Sequence, residues 1–248
     1  MSENINKKQP LVLIPGFMLD ASMWDDLAPL LSDHYRLLHA DPTNPNSIAE
    51  YAAMTLSSAP PKFVLVGFSM GGYVAREMVR MSSDRVSGMI LIATSAREGK
   101  RTATPSSDCP NIKSPRFNGL SRAAIRKSLG PEREDDDALV ERLRVAGVRL
   151  GGDTYLRQSA FLRESDLDRL NEISCPTLVI AGKHDKLRSF DEAQELRSGI
   201  PNAELQVLEA GHMVPLEVPG PLARAILEFA SNTRLGPRRE GSIRFEAG

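Results

Sequence analysis

Apolar residues recur along the chain in short unbroken runs separated by amphipathic stretches. The runs lie at 11–14, 35–39, 63–67, 86–93, 177–181 and 203–208, and most are dominated by Val, Leu and Ile. Unbroken aliphatic runs of this length fit strands covered on both faces, as in a parallel sheet. Between them lie helical segments with start signals. Ser22 with Asp25 precedes an apolar stretch over 24–31, and Ser47 with Glu50 and Ser189 with Glu192 have the spacing of a capping box. Segments 70–81 and 221–230 complete the set. This alternation predicts an α/β protein with a doubly wound, mostly parallel sheet of about six strands. Right-handed crossovers then put helices on both faces.

One stretch breaks the rhythm. From Ser95 to Asn171 no strand is expected. Segment 101–119 is rich in Pro, Ser and Thr and reads as a loop. A helix is expected over 121–129, ending at Gly130. A longer one over 135–150 breaks at Gly151-Gly152, and a third covers 153–163. So long a detour from the core pattern predicts a helical cap. The expected organisation is therefore a core made of 1–95 and 172–232, a cap over 96–171 and a polar tail over 233–248. The acidic run from Glu134 to Asp137 falls where a helix start favours negative charge, so it predicts no metal site.

Composition narrows the function classes. Hydrophobic residues make up 41% and charged residues 25%, as in an ordinary globular protein. A formal net charge of -1 gives no field that would draw the chain to nucleic acid or to an anionic membrane. The first apolar run stops at Pro15, too soon for a signal-peptide core or a membrane span. A cytoplasmic location with no membrane partner is expected. Cys109 and Cys175 are too few for a disulfide framework, and no short-spaced His/Cys cluster suggests zinc. The expected chemistry needs no metal and no cofactor.

The candidate chemistry begins at Gly67-Phe68-Ser69-Met70-Gly71, a G-x-S-x-G motif between a predicted strand and a predicted helix. A serine on so sharp a turn needs small neighbours, and the helix that follows points its dipole at developing negative charge. A serine hydroxyl is a weak nucleophile without a base. Of the 4 histidines, His212 lies in a loop after the sixth predicted strand, on the same rim as Ser69. His34 is expected at the opposite rim, His39 in strand packing and His184 beside the site without a catalytic role. Asp185 follows the fifth predicted strand on the same rim and is placed to fix the tautomer of His212. A tetrahedral intermediate needs two donors. Met70 N–H, just after the nucleophile, is one, and Phe17 N–H, in the loop after the first strand, is the other.

Residues Leu11 to Phe17, Gly67 to Gly72, Gly182 with Asp185, and Gly211-His212 together resemble the α/β-hydrolase superfamily. The chain looks like a small serine esterase or lactonase related to bacterial carboxylesterases. The resemblance implies a triad of Ser69, Asp185 and His212 that cleaves a small carboxylic ester or lactone through an acyl-enzyme intermediate. The implied partner is a small ester-like molecule. Pro15-Gly16 stands where many members carry His-Gly, which leaves a backbone donor intact. Many members begin with an extra hairpin, and the short segment before Leu11 predicts a compact sheet without it. Ser69 sets the chain apart from members with an aspartate nucleophile. A thioesterase or C–C bond hydrolase could use the same triad, and a slow-turnover receptor could keep the fold. Pocket candidates in the cap are Phe117, Tyr155 and Phe161, with Leu120, Leu143 and Leu156 beside them. Arg116, Arg122, Arg126, Arg142, Arg144 and Arg157 are the cap arginines that could hold a substrate carboxylate.

Overall fold

The computed structural model describes residues 8–99 and 117–233. Within them the six apolar runs are strands β1 (Gln9–Ile14), β2 (Tyr35–His39), β3 (Phe63–Phe68), β4 (Val86–Ile92), β5 (Thr177–Gly182) and β6 (Ala203–Leu208). They form one sheet in the order β2-β1-β3-β4-β5-β6, and every ladder is parallel. Side chains alternate between two cores. Leu11, Leu13, Val64, Val66, Ile90 and Ile92 enter one. Val12, Ile14, Phe63, Leu65, Met89 and Leu91 enter the other. Both faces are dry, which is why these strands read as unbroken apolar runs.

The helices are α1 (Ala28–Leu31), α2 (Ile48–Ser58), α3 (Met70–Met81), α4 (Arg122–Lys127), α5 (Asp137–Ser159), α6 (Phe190–Gly199), α7 (Val214–Glu217) and α8 (Pro219–Asn232). Helices α2, α3 and α6 cover one face, and α1 and α8 the other. The doubly wound α/β architecture is thus present, with a wholly parallel sheet among the described residues. No helix there is long and apolar enough to cross a membrane. The tail beyond Thr233 and most of the loop over 101–119, with Cys109 and Arg116, lie outside the described residues.

Local departures from the expected elements have physical causes. The helix expected over 24–31 is split into a 3-10 turn, Ala21–Trp24, and the short α1. Asp20, not Ser22, caps the first piece. Pro29 has no N–H to donate, which suits the start of a fresh helix. At α2 the Ser47 side chain accepts from Glu50 N–H, but the Glu50 carboxylate turns to Asn46 N–H, so the box is only half formed. At α6 both halves are present. The break foreseen at Gly151-Gly152 is a kink inside α5, where Gly151 has φ of 80°. Asp136 of the acidic run caps α5, while Asp137 pairs with Arg126 and Glu134 with Lys186.

A buried ion pair ties these layers together. Arg76 on α3 has no exposed surface. Its Nε and Nη2 donate to the two carboxylate oxygens of Asp166 at 2.8 and 2.9 Å. Nη2 also donates to Ser95 O at 2.8 Å, and Arg80 pairs with the same aspartate. Burial raises the Asp166 pKa, but Arg76 and Arg80 outweigh it and hold the carboxyl below its usual range. Removing one member of such a cluster leaves buried charge uncompensated. Asp166→Ala is therefore expected to destabilise the protein by about 3–5 kcal/mol in urea denaturation at neutral pH. The contribution should be complete above the unfolded carboxyl value of about 3.9 and fade as the pH falls through the lower native one. The gap between wild type and variant must then narrow only below about pH 4. A constant gap down to acid pH would contradict the assignment.

Candidate active site

The order of the strands decides where a site can form. The chain moves from β1 to the edge strand β2 and then returns to place β3 on the other side of β1. Crevices open at the carboxyl ends of strands where the winding direction reverses. The loop after β1 and the turn after β3 meet at that point.

Ser69 occupies this turn with φ 51° and ψ −112°. A side chain in such a region costs about 1–3 kcal/mol and persists only when its surroundings hold it. Both of its peptide groups are held. Ser69 N–H donates to Ile92 O at 2.9 Å, and Ser69 O accepts from Thr94 Oγ1 at 2.7 Å and Gly72 N at 3.0 Å. A Cβ on Gly71 would stand 2.4 Å from Ile14 O, so only glycine allows α3 to start this close to β1.

His212 sits just ahead of α7, on a loop after β6. Its Nε2 lies 3.0 Å from Ser69 Oγ, and its Nδ1 lies 2.8 Å from Asp185 Oδ2. The other Asp185 oxygen accepts from Leu187 N at 2.7 Å and Arg188 N at 2.9 Å. The Asp185 side chain is 2% exposed and that of His212 6%. The imidazole is thus held between a fixed carboxylate and the serine hydroxyl, and packs against Phe68 with ring centroids 5.2 Å apart.

The loop of Gly16, Phe17 and Met18 runs beside the turn. A Cβ on Gly16 would come within 2.8 Å of the Phe68 ring, so glycine is needed for this approach. Neither Phe17 N–H nor Met70 N–H has an acceptor among the described residues. The next amide, Met18 N–H, donates to Gln158 Oε1 at 2.8 Å, and Gln158 Nε2 donates to Pro42 O at 3.1 Å. Gln158 is fully buried. Helix α5 thereby fixes the orientation of the β1 loop.

A cavity of about 360 Å³ opens onto Ser69 and His212. Its walls include Phe17, Met18, Phe68, Leu120, Leu143 and Tyr155. A sequence profile of the alpha/beta hydrolase family matches residues 11–225. The chain belongs to the alpha/beta hydrolase family. Curated relatives include the pimeloyl-acyl-carrier-protein methyl ester esterases of Vibrio cholerae and Yersinia enterocolitica. The first is 25% identical over 90% of this chain and 94% of its own length. The second is 28% identical over 90% and 94%. Among solved structures, an esterase from Thermogutta terrifontis superposes with a TM-score of 0.76 at 26% identity, covering 91% of this chain and 90% of its own. The enol-lactonase of Burkholderia xenovorans reaches 0.78 at 21% identity, covering 90% and 92%, a likeness of fold.

Several pocket residues of this alpha/beta hydrolase differ from the sequence expectation. Leu120, Leu143 and Tyr155 line the cavity. Phe117 stands outside the lining, its ring 5.8 Å from that of Tyr155. Phe161 is a correction. It is buried in the core shared by α3 and α6, because the chain turns inward after α5 and drops this ring against the sheet. Leu156 is half exposed. Of the arginines on α4 and α5, Arg122 and Arg144 pair with Glu141, Arg126 with Asp137 and Arg142 with Asp26, while Arg157 donates to Thr43 O. None of them lines the cavity. His34 and His39 are exposed and neither lines the cavity, and His184 faces Glu209 at 3.0 Å.

Glu217 and its three partners gave no signal in the sequence. Its Oε2 accepts from Gly130 N at 2.8 Å and Gly211 N at 3.0 Å, and its Oε1 from Met213 N at 3.0 Å. His212 N–H itself donates to Ser128 O at 2.8 Å. The loop carrying His212 is therefore fastened on both sides of the histidine, and to the end of α4.

Proposed function

We propose that this alpha/beta hydrolase cleaves small carboxylic esters or lactones by serine catalysis, with Ser69, His212 and Asp185 as the triad. The observation that carries the reading is the continuous relay Ser69 Oγ···His212 Nε2 at 3.0 Å and His212 Nδ1···Asp185 Oδ2 at 2.8 Å. Ser69 Oγ attacks the ester carbonyl while His212 Nε2 takes its proton. Asp185 keeps the Nδ1–H tautomer and stabilises the imidazolium. The carbonyl oxygen, now negative, accepts from Phe17 and Met70 N–H, and α3 adds its dipole. Collapse of this intermediate breaks the C–O bond, and His212 returns the proton to the departing alcohol. Water, deprotonated by His212, then releases the acid from Ser69. The ester bonds named for the relatives and for the Thermogutta neighbour fall in the same reaction class.

The segment over 96–171 acts as the cap in this reading. Leu120, Leu143 and Tyr155 give the cavity apolar walls. Its volume of about 360 Å³ favours a small substrate. The test is rapid mixing with a neutral short-chain p-nitrophenyl ester. A burst of one nitrophenolate per Ser69, followed by slower turnover, is expected. No hydrolysis across ester and lactone panels would overturn the reading.

Glu217 acts here as a positioning residue. Glu217→Ala removes the acceptor of three amides, those of Gly211 and Met213 on either side of His212 and that of Gly130. It should lower kcat by about 10- to 100-fold with a smaller effect on KM, because small displacements of a base are costly. Glu217→Gln should recover part of kcat. An unchanged kcat in the folded alanine variant would contradict this role.

A further inference from the structure

The two amides aimed at the ester oxygen are held in different ways. Met70 N–H starts α3, and the helix sets its direction. Phe17 N–H lies in a turn and has no acceptor of its own among the described residues, so its neighbours must aim it. The turn runs from Gly16 to Leu19 and closes with Leu19 N–H donating to Gly16 O at 3.3 Å, a long bond. Gly16 C=O and Phe17 N–H share one peptide plane, so whatever holds the turn also aims the donor. Of the two central residues only Met18 has a positive φ, 54°, the type II arrangement that favours glycine at that position. Sterically, a methionine there favours flipping the central peptide to the type I form.

Gln158 opposes that flip. It lies in α5 past the kink at Gly151, and both it and Met18 are fully buried. Its Oε1 accepts from Met18 N–H, the donor of the central peptide, at 2.8 Å, and its Nε2 donates to Pro42 O at 3.1 Å. Met18 N–H can only donate and Pro42 O can only accept, so the side-chain amide fits in one orientation. A flipped peptide would set Phe17 O against Gln158 Oε1, acceptor against acceptor, with no donor for either. The other ties from α5 to the segment after β1 are weaker. Arg149 with Asp20 and Arg142 with Asp26 are partly in solvent, where salt screens them.

Building on the serine-hydrolase reading, we propose that Gln158 is a positioning residue for the oxyanion hole: from α5 it holds the Phe17–Met18 peptide in the type II turn and so keeps Phe17 N–H aimed at the developing oxyanion. Gln158 touches no reacting atom. It acts through the turn, and its effect falls on the transition state, because the aimed amide matters most once the carbonyl oxygen is charged.

The test measures kcat and KM on a p-nitrophenyl ester, and inhibition by an alkyl trifluoromethyl ketone, whose adduct with Ser69 carries the oxyanion. Gln158→Leu should lower kcat by about 10- to 100-fold, change KM by less than about threefold, and weaken the ketone in step with kcat. A merely structural role would reduce the amount of active enzyme and leave the ketone affinity of the remainder unchanged. Gln158→Glu, uncharged when buried, can donate O–H to Pro42 O and accept from Met18 N–H, and should retain part of kcat. If the leucine variant fails to fold, Gln158→Asn, polar but too short to reach both partners, takes its place with the same expected loss. Met18→Gly removes the steric bias against the turn, so Gln158→Leu should cost less in that background than in wild type. Losses of equal size in the two backgrounds, or a folded Gln158 variant with the kcat and ketone affinity of wild type, would overturn the inference and leave the serine-hydrolase reading standing. If the wild-type protein cleaves no ester and binds no ketone, that reading falls and the inference with it.

Discussion

Ser69→Ala is expected to lower kcat by roughly three or more orders of magnitude on every substrate the enzyme accepts. Alanine removes Oγ, the atom 3.0 Å from His212 Nε2, and nothing else of the site. Ser69 N–H to Ile92 O and the Thr94 bond to Ser69 O are backbone contacts that survive the change. Alanine meets the same conformational cost at φ 51° as serine does, so folding should be preserved within about 1 kcal/mol. The residual rate reports what the Phe17 and Met70 amides and the cavity supply without the nucleophile. Steady-state kinetics with thermal melting of both proteins checks the pair of expectations. A folded variant with turnover near that of wild type would place the nucleophile elsewhere.

Asp185→Asn is expected to cost up to about four orders of magnitude in kcat with the fold kept. The substitution is nearly isosteric, and the cause is the direction of a hydrogen bond. Asp185 Oδ1 accepts from Leu187 N and Arg188 N, so the asparagine carbonyl oxygen must stay there to satisfy both amides. The amide NH2 then faces His212 Nδ1, where Asp185 Oδ2 stood at 2.8 Å. A donor facing Nδ1 favours the tautomer with its proton on Nε2, which cannot accept the proton of Ser69. The two amides lock the asparagine in the wrong orientation. Asp185→Ala, which imposes no tautomer, should retain more activity than Asp185→Asn. The reverse order, or a loss below about tenfold for asparagine, would mean that the acid does not act through His212.

The sheet was legible because its strands are buried on both faces. Leu11 to Ile14 and Phe63 to Phe68 need no alternation to be recognised, and their ends agree with the runs to within about two residues. The elbow was legible for a local reason, since Gly67, Ser69 and Gly71 lie in one turn. Asp185 and His212 followed from their places at strand ends on one rim. What escaped depends on approach between distant parts of the chain. Gln158 bonds to Met18 across 140 residues, and nothing near it in sequence marks that contact. Arg163 and Arg188 reach one cavity from the end of α5 and from the loop after β5, whereas the arginines along α4 and α5 pair with carboxylates or with backbone. Phe161 has the composition of a pocket residue but follows the last turn of α5, where the chain dips into the opposite core. Helix α7 went unread because four residues containing Pro215 carry no helical period.

The central claim is that Ser69 is activated by its surroundings, and a fluorophosphonate probe reads that directly. Ordinary serine hydroxyls do not react with it, whereas one paired to a base and facing two free amides does. Intact-protein and peptide mass spectrometry after brief labelling should find one phosphonyl group, on Ser69. It should be absent from Ser69→Ala and strongly slowed in Asp185→Asn. Wild-type protein that stays unlabelled, or carries the group on another residue, would contradict the account.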